Sequence, residues 1–518
     1  MSQQDRRNPQ DHEGQTPILR FHAATPPRGL ASVPQSTLFE GRFGRMFRNL
    51  PPFAPDDQAL SALAATMSEP EPPAGGGAAG GQDVADPLDN PAIPAGFTYL
   101  GQFVDHDITF DPASKLQREN DPDALRDFRT PRFDLDSVYG RGPDDQPYLY
   151  EDDGIHLRVD INANGEEDLP RTAPKDGALR RALTGDPRND ENAIVSQLHL
   201  AFLKFHNAVV DSLAGQFSGD ALLDEARRLV RWHYQWAVIH DFLRRIAGDA
   251  VVDDVLGEAV FSVGGDGGAA AVVTVPQAKL RFFHWHNQPF MPVEFSVAAY
   301  RFGHSMVRPE YELNGQAVDV PIFSSEKPDL RGFRERPPGL TIEWHRFFSF
   351  PDQADGLQLA RRIDTKLAPG LFALPNPVVA AADPHKSLAE RNLLRGKALG
   401  LPTGQAVAAA MGLPADLILR GDALGLPADL VATFGESTPL WFYILKEAEV
   451  YNEGLRLGPV GGRIVAEVLV GLLAADPASY LSVAPTWTPT LGATQDGTFT
   501  MADLLTVARV TIPRDGGG

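Results

Sequence analysis

Four short segments carry polar groups that their apolar surroundings would otherwise exclude, and a fifth supports them. In Tyr99–Asp111 (YLGQFVDHDITFD), Gln102, Asp105, His106 and Asp107 interrupt an apolar run. If this stretch is helical, Gln102 and His106 are four apart and share a face, while the two acids beside the histidine point elsewhere. Imidazole can take and return a proton near neutral pH. A single histidine on an apolar face is more often a core residue than a catalyst. The two flanking carboxylates weigh against that reading, because buried carboxylates need partners.

The second segment, Thr130–Gly140 (TPRFDLDSVYG), places Thr130, Asp134 and Asp136 close together. Hard oxygens at such spacing suit calcium, although the EF-hand pattern is absent, and a turn with a capping aspartate fits equally well. The third, Leu183–Asn192 (LTGDPRNDEN), carries Arg188 and Glu191 in a Pro/Gly turn ahead of a helix, where both also suit ordinary helix N-terminal decoration. The fourth, Val297–Pro309 (VAAYRFGHSMVRP), has Gly303 directly before His304, and the supporting segment, Arg391–Pro402 (RNLLRGKALGLP), supplies Asn392 and Arg395.

The chain has 518 residues, 43% of them hydrophobic, which implies one large or two fused domains with a sizeable core. Forty-seven basic residues against 68 acidic ones leave a charge of −21. Such a surface repels phosphate backbones and argues against nucleic acid or an anionic membrane as partner. Cysteine is absent. That excludes disulfides, Fe–S clusters, thiolate-ligated haem and thiol nucleophiles, so any metal is held by His, carboxylate, carbonyl or hydroxyl groups. Any oligomer would be non-covalent. The N-terminus, MSQQDRRNPQDHEGQ, lacks the apolar core of a secretory signal. The longest apolar stretch, Ile464–Ala475, contains Glu467 and is too short to span a bilayer. These features predict a soluble protein, cytoplasmic or exported by a non-conventional route.

The elements that must position these groups are mostly helical. Residues 1–89 read as a polar leader, an arm with scattered apolar anchors and a Gly/Pro-rich loop (Pro70–Asp83); residues 90–518 read as the catalytic body. Val195–Ala214 and Leu222–Gly248 show apolar residues at three- and four-residue steps, the second ending at a glycine. Phe295–Val307, Ser387–Gly396 and Pro439–Ala448 are further helix candidates, and Ala271–Val275 is the best strand. The fold class predicted is mainly α, with very little β.

In this order the segments resemble the animal-type haem peroxidases of the peroxidase–cyclooxygenase superfamily, over roughly residues 90–475, and look most similar to its bacterial members. GQFVDHD resembles the distal segment, TPRFDLDSVYG the calcium loop, GDPRNDEN the distal arginine segment with FLKFHN in the helix after it, YRFGHSMV the proximal histidine helix, and NLLRGKALGLP the segment supporting it. The resemblance implies haem b and Ca2+ as cofactors, with H2O2 and small electron donors or halides as partners. It implies His304 as proximal iron ligand, Asn392 accepting a hydrogen bond from its other ring nitrogen, and Arg301 and Arg395 meeting the haem propionates. On the distal side it implies His106 as general base and then acid, Arg188 stabilising the departing oxygen, and Gln102 holding a water or halide, with a ferryl haem as the oxidised product. Asp107, Thr130, Asp134, Asp136 and the carbonyl of Arg132 match the calcium ligands. Asp105 and Glu191 match the two carboxylates that form haem esters. Where the family has a methionine that forms a sulfonium link, this chain has Asn192, which disfavours chloride and leaves bromide, iodide, thiocyanate or phenols, in an enzyme that answers oxidative stress.

Two other readings compete. A fatty-acid dioxygenase of the same superfamily needs a tyrosine three residues before the proximal histidine; here that position is Arg301, and Tyr300 is displaced around the helix. A non-catalytic adhesion or binding protein would draw on Arg420–Asp422 (RGD), a tripeptide that arises easily by chance in a surface loop. The intact His106, Arg188 and His304 argue for catalysis. The remaining histidines, including His284 and His286, are read as structural, with Phe283 and Trp285 as candidates to line substrate access.

Overall fold

The apolar stretch Ile464–Ala475 lies at the centre of the molecule, as its composition requires: in the computed structural model, every residue from Ile464 to Leu473 is buried. The structure describes residues 41–70, 86–110, 126–127, 129–173, 180–263, 271–376, 378–492 and 497–510. The expected leader and nearly all of the Gly/Pro-rich loop lie outside the described residues. In chain order the elements that matter for the site are β1 (Gly41–Gly44), α1 (Asp57–Ala65), β2 (Asp89–Pro94), α2 (Gly96–Ile108), β3 (Arg126–Asp127), α3 (Ala193–Leu213), α4 (Gly219–Trp236), β4 (Leu256–Val263), β5 (Ala271–Ala278), β6 (Met291–Pro292), β7 (Leu359–Arg361), α5 (Leu388–Ala398), α6 (Leu440–Asn452) and α7 (Pro459–Ala475). Helix makes up 44% and strand 11%, so the mainly α class holds.

The strands are short ties between helices. β1 pairs antiparallel with β3 and parallel with β6, β2 pairs antiparallel with β7 through Asp89↔Arg361, and β4 and β5 form a hairpin in register from Leu256↔Ala278 to Val263↔Ala271. The arm containing β1 is hydrogen-bonded to the body. Arg45 donates to the carbonyls of Gly400 and Leu399, both at 2.8 Å. The amides of Met46 and Phe47 donate to the buried Glu294 carboxylate at 3.0 and 3.1 Å. This clamps the entry to the 295–307 segment against the end of α5.

Two expected helices are interrupted. The pattern at 222–248 runs as α4, then a π-helical stretch over Ala237–Leu243, then Arg244–Ala247, and stops at Gly248 with φ of 84°. The 295–307 segment is a π-helical turn (Glu294–Ala298) followed by a 3-10 turn (Ala299–His304). Ala298 breaks the helix between them, at φ −128°, ψ −74°. Such interruptions concentrate at functional positions because they re-aim side chains that a regular helix would stack. The other helix candidates match α3, α5 and α6 to within a few residues. No helix among the described residues is long and apolar enough to cross a membrane.

Candidate active site

Helix α2 presents Gln102 and His106 on one face, as the four-residue spacing predicts. His106 is buried, 3% exposed. Its Nδ1 lies 2.8 Å from Asn189 Oδ1, so Nδ1 carries a proton and donates it to the amide oxygen. Asn189 Nδ2 in turn donates to His199 Nδ1 at 2.9 Å. Burial depresses the His199 pKa to about 3, so this second imidazole is a neutral acceptor that fixes the amide. Neither Asn189 nor His199 stands out in the sequence: one is a neutral amide, the other a histidine on an amphipathic helix. Together they set the tautomer and orientation of His106.

His106 Nε2 faces Glu191 Oε1 at 3.4 Å. Gln102 donates to the same carboxylate oxygen and accepts from Asn192 Nδ2 at 2.9 Å. Asn192 also caps α3, its side chain accepting from the amides of Ile194 and Val195. Three polar side chains, Glu191, Gln102 and Asn192, thus meet on the Nε2 side of His106.

Arg188 is held by a partner that the sequence gives little reason to notice. Asp186, fully buried, accepts from Arg188 Nε at 3.1 Å and Nη2 at 2.8 Å. It also accepts from Arg129 Nε at 2.9 Å and Nη2 at 2.5 Å. Burial alone would raise its pKa, but Arg188 and Arg129 overcome that and hold it well below the usual carboxylate range. Arg188 Nη2 further donates to the carbonyls of His106 and Thr109, leaving Nη1 toward Asp105 Oδ2 at 3.8 Å. The guanidinium therefore hangs directly from the helix that carries the base.

Three of the expected calcium residues converge. Asp107, Asp134 and Asp136 are all buried, each offering an oxygen within 4.8 Å of the others. Ligand oxygens at 2.3–2.6 Å from one ion are separated by about that distance. Leu135, at φ 55°, turns the chain so that the acids on either side of it face Asp107. Thr130 Oγ1 donates to Asp134 Oδ2 at 2.8 Å, and the Leu135 amide donates to Asp107 at 3.2 Å. Burial, then Asp136 and Asp134, raise the Asp107 pKa well above normal. Three crowded carboxylates with no cation between them are unfavourable, which is what a resident cation would relieve. This loop is also bonded to the arginine turn: the Asp186 amide donates to Ser137 O at 3.1 Å, and Gly185 packs against the same backbone. A Cβ on Gly185 would stand 2.2 Å from Asp136 O. Gly185→Ala is therefore expected to lower stability by about 1–3 kcal/mol through overpacking, read as a drop in the urea midpoint; an unchanged midpoint would show that this contact yields freely.

On the opposite side, the 3-10 turn packs against α2 and ends at His304. Asn392 of α5 lies with Nδ2 2.7 Å from His304 Nδ1. As drawn, the amide donates to the ring. Iron ligation through Nε2 needs the proton on Nδ1, which a 180° turn of the amide supplies by presenting Oδ1 at the same place. The contact expected from sequence is present with the opposite polarity. Burial, then Arg301, depress the His304 pKa to about 3, keeping it a neutral imidazole fit to ligate a metal. No heavy atom lies within 4 Å of a Cβ built on Gly303, so open space adjoins the histidine.

Asp105, Thr109, Phe110 and Arg188 from the distal segments and Ser296, Val297, Arg301 and Arg395 from the proximal ones line one open cavity, and neither His106 nor His304 is among its lining residues. Three guanidinium groups around one cavity in so acidic a protein suit a bound group with carboxylates of its own. Haem would meet these cations through its propionates, and the neutral His304 imidazole is chemically a suitable iron ligand. Phe283 and Trp285 pack on each other, ring centroids 5.1 Å apart, and do not line the cavity. His284 bonds to Arg281 O, and the surface Arg420 pairs with Glu436 at 2.7 Å.

Residues 117–330 match the sequence model of the animal haem peroxidase family. The chain is 27% identical to human (Homo sapiens) thyroid peroxidase over 242 residues, 42% of this chain and 21% of that protein. It is 25% identical to Drosophila melanogaster peroxidasin over 308 residues, 53% and 17% of the two, and so spans about a fifth of these relatives. Peroxidase A from Dictyostelium discoideum superposes with a TM-score of 0.61 over 92% of this chain and 93% of that one, at 14% identity. An Oryza sativa fatty acid alpha-dioxygenase gives 0.50 over 83% and 75%, at 17%. These two show a shared fold. In its matched segment, residues 117–330, and in its relatives, the chain is similar to the animal haem peroxidase family.

Proposed function

We propose that the chain is a haem- and calcium-dependent peroxidase that reduces H2O2 to water and oxidises small organic donors, bromide, iodide or thiocyanate. The observation that carries this is the pairing of an oriented base with a fixed cation, His106 on Asn189 and Arg188 on Asp186, with a neutral His304 on the 3-10 turn that packs against α2. Haem, when bound through His304, would supply the iron that holds and reduces the peroxide. His106 Nε2, free of its proton, would accept one from peroxide and return it to the departing oxygen. Arg188 Nη1 would stabilise the charge on that oxygen, and Gln102 would hold a water or halide beside it. Arg301 and Arg395 would pair with the propionates, and Asp105 and Glu191 are the carboxylates placed for ester links. Thr130, Asp134, Asp136, Asp107 and the carbonyl of Arg132 would hold calcium, fixing the neighbour of the catalytic base. Asn192, with its amide committed to Gln102 and the α3 cap, gives no sulfonium link, so chloride is the poorest donor.

Two rival readings fall behind. A dioxygenase would need an oxidisable ring where Arg301 stands. An adhesion protein would need no His106–Asn189–His199 chain. The test is the absorption spectrum of protein expressed with haem, before and after H2O2, beside His304→Ala. The parent should show a ferric Soret band that shifts with peroxide, and the variant should lose it or hold it weakly. A parent that takes up no haem would sink the proposal.

A further inference from the structure

Three of the chain's six tryptophans meet in one place. Trp232 and Trp236, one turn apart on α4, both lie against Trp487 of the C-terminal segment, with ring centroids 5.3 and 6.0 Å away. Tyr480 closes the group, 5.7 Å from Trp236 and 5.8 Å from Trp487. Packing alone explains aromatic clusters that are sealed from water. This one is not sealed: Trp236 and Trp487 each keep an edge in solvent, Thr486 and Thr488 beside Trp487 are exposed, and nearby Val483 is 57% exposed.

A second group of rings lies further inward on the same helix. Tyr234, two residues before Trp236, is fully buried with its ring 5.6 Å from Phe202, 6.2 Å from Phe133 and 6.2 Å from Phe103. Phe103 stands on α2 three residues before His106, and its ring meets that of His199 at 6.2 Å. Two groups of rings thus share α4, one reaching the surface through Trp236 and the other reaching the helix of the catalytic base through Tyr234, and two residues of helix backbone separate them.

We propose that these rings form a second donor site: reduced aromatic compounds too bulky for the interior cavity, such as polymer-linked phenols, give up electrons at Trp236 and Trp487, and the electrons cross the short step of helix backbone to Tyr234 and the distal side. The proposal rests on the peroxidase reading above. In a chain without cysteine, indole and phenol rings are the side chains best suited to one-electron oxidation. Local electrostatics select among them. The Arg228 guanidinium sits 4.3 Å over the Trp232 ring, which opposes positive charge on that indole. Trp236 instead stacks at 3.9 Å on His240, which burial keeps neutral. An electron vacancy therefore settles on Trp236 and Trp487, the pair that reaches solvent. The balance is one H2O2 and two donor molecules AH giving two waters and two radicals A•. Each electron passes from AH to an oxidised indole, and the two protons released enter the two waters.

The test uses the haem-loaded full chain with two donors, iodide and a phenol coupled to a dextran polymer, and compares Trp487→Phe, Trp236→Phe and Trp487→Tyr with the parent. Each Phe variant should lose about tenfold in kcat/KM for the tethered phenol and stay within about twofold for iodide, while Trp487→Tyr, which keeps an oxidisable ring, recovers most of the loss. Parent treated with peroxide and no donor should carry oxidised indole at Trp487 and Trp236, by peptide mass spectrometry, and not at the buried Trp344 or Trp441. Equal loss in the Phe and Tyr variants means packing alone and overturns the proposal, as do full retention of the tethered donor or oxidation confined to Trp344 and Trp441. A parent that oxidises neither donor overturns the peroxidase reading and this site with it.

Discussion

Asp186→Asn should cost about 3–5 kcal/mol of stability, although it exchanges one oxygen for a nitrogen. The carboxylate is fully buried and receives four hydrogen bonds from two guanidinium groups. Neutralising it leaves Arg129 and Arg188 facing each other across an amide that can accept far less. Arg129 retains Asp136 at 3.7 Å, which is why the estimate is not higher. The pH dependence follows from the depressed pKa of Asp186. A group of this kind contributes stability above its unfolded value, about 3.9, and loses it as pH falls toward the folded one. The gap between parent and variant should therefore be constant from neutral pH to about pH 4 and narrow only below it. Urea midpoints at several pH values measure this; a gap under about 1 kcal/mol at pH 7 would show that the two arginines find other partners. In haem-loaded protein the same change should slow the reaction with peroxide, because Arg188 is then aimed only by the carbonyls of His106 and Thr109.

The parts of this site that could be read from sequence are those where function breaks a local pattern. His106 with two adjacent acids inside an apolar helix is conspicuous, and so are Asp134 and Asp136 two residues apart. The periodicity of α3 and the glycine stop after the α4 segment depend on neighbouring residues alone and were equally legible. What stayed hidden depends on pairs distant in the chain. Asp186 looks like a helix cap in GDPRND until Arg129, 57 residues earlier, arrives beside it. Asn189 and His199 are ordinary on their own, and only the fold makes them a relay behind His106. The kink at Ala298 is equally invisible, because apolar periodicity does not distinguish a π turn followed by a 3-10 turn from a continuous helix. Glu294, which ties down the N-terminal arm, is likewise a polar residue whose partners are backbone amides nearly 250 residues away.

Removing calcium should destabilise the protein and disturb the base at once. The argument begins with the three buried carboxylates, whose oxygens converge within 4.8 Å. Without a cation, burial and the two neighbouring acids raise the Asp107 pKa. The folded apo-protein then binds that proton more tightly than the unfolded chain does. This contribution favours folding at low pH and is lost as pH rises through the folded value. Calcium must displace the proton, so the gain in stability that calcium confers should grow with pH. At a calcium concentration about a thousandfold above Kd that gain reaches about 4 kcal/mol. Calorimetry with added calcium and with chelator, at about pH 5 and about pH 8, should show a shift in Tm at both values and a larger one at the higher pH. Equal Tm values with and without calcium at both would rule out a cation in this loop. The consequence for catalysis follows from connectivity. Asp107 is the residue after His106, and the loop that holds it is bonded through Ser137 O to the amide of Asp186, the anchor of Arg188. One ion in this loop would therefore steady both the proposed base and the proposed cation, and chelation should impair them together rather than one at a time.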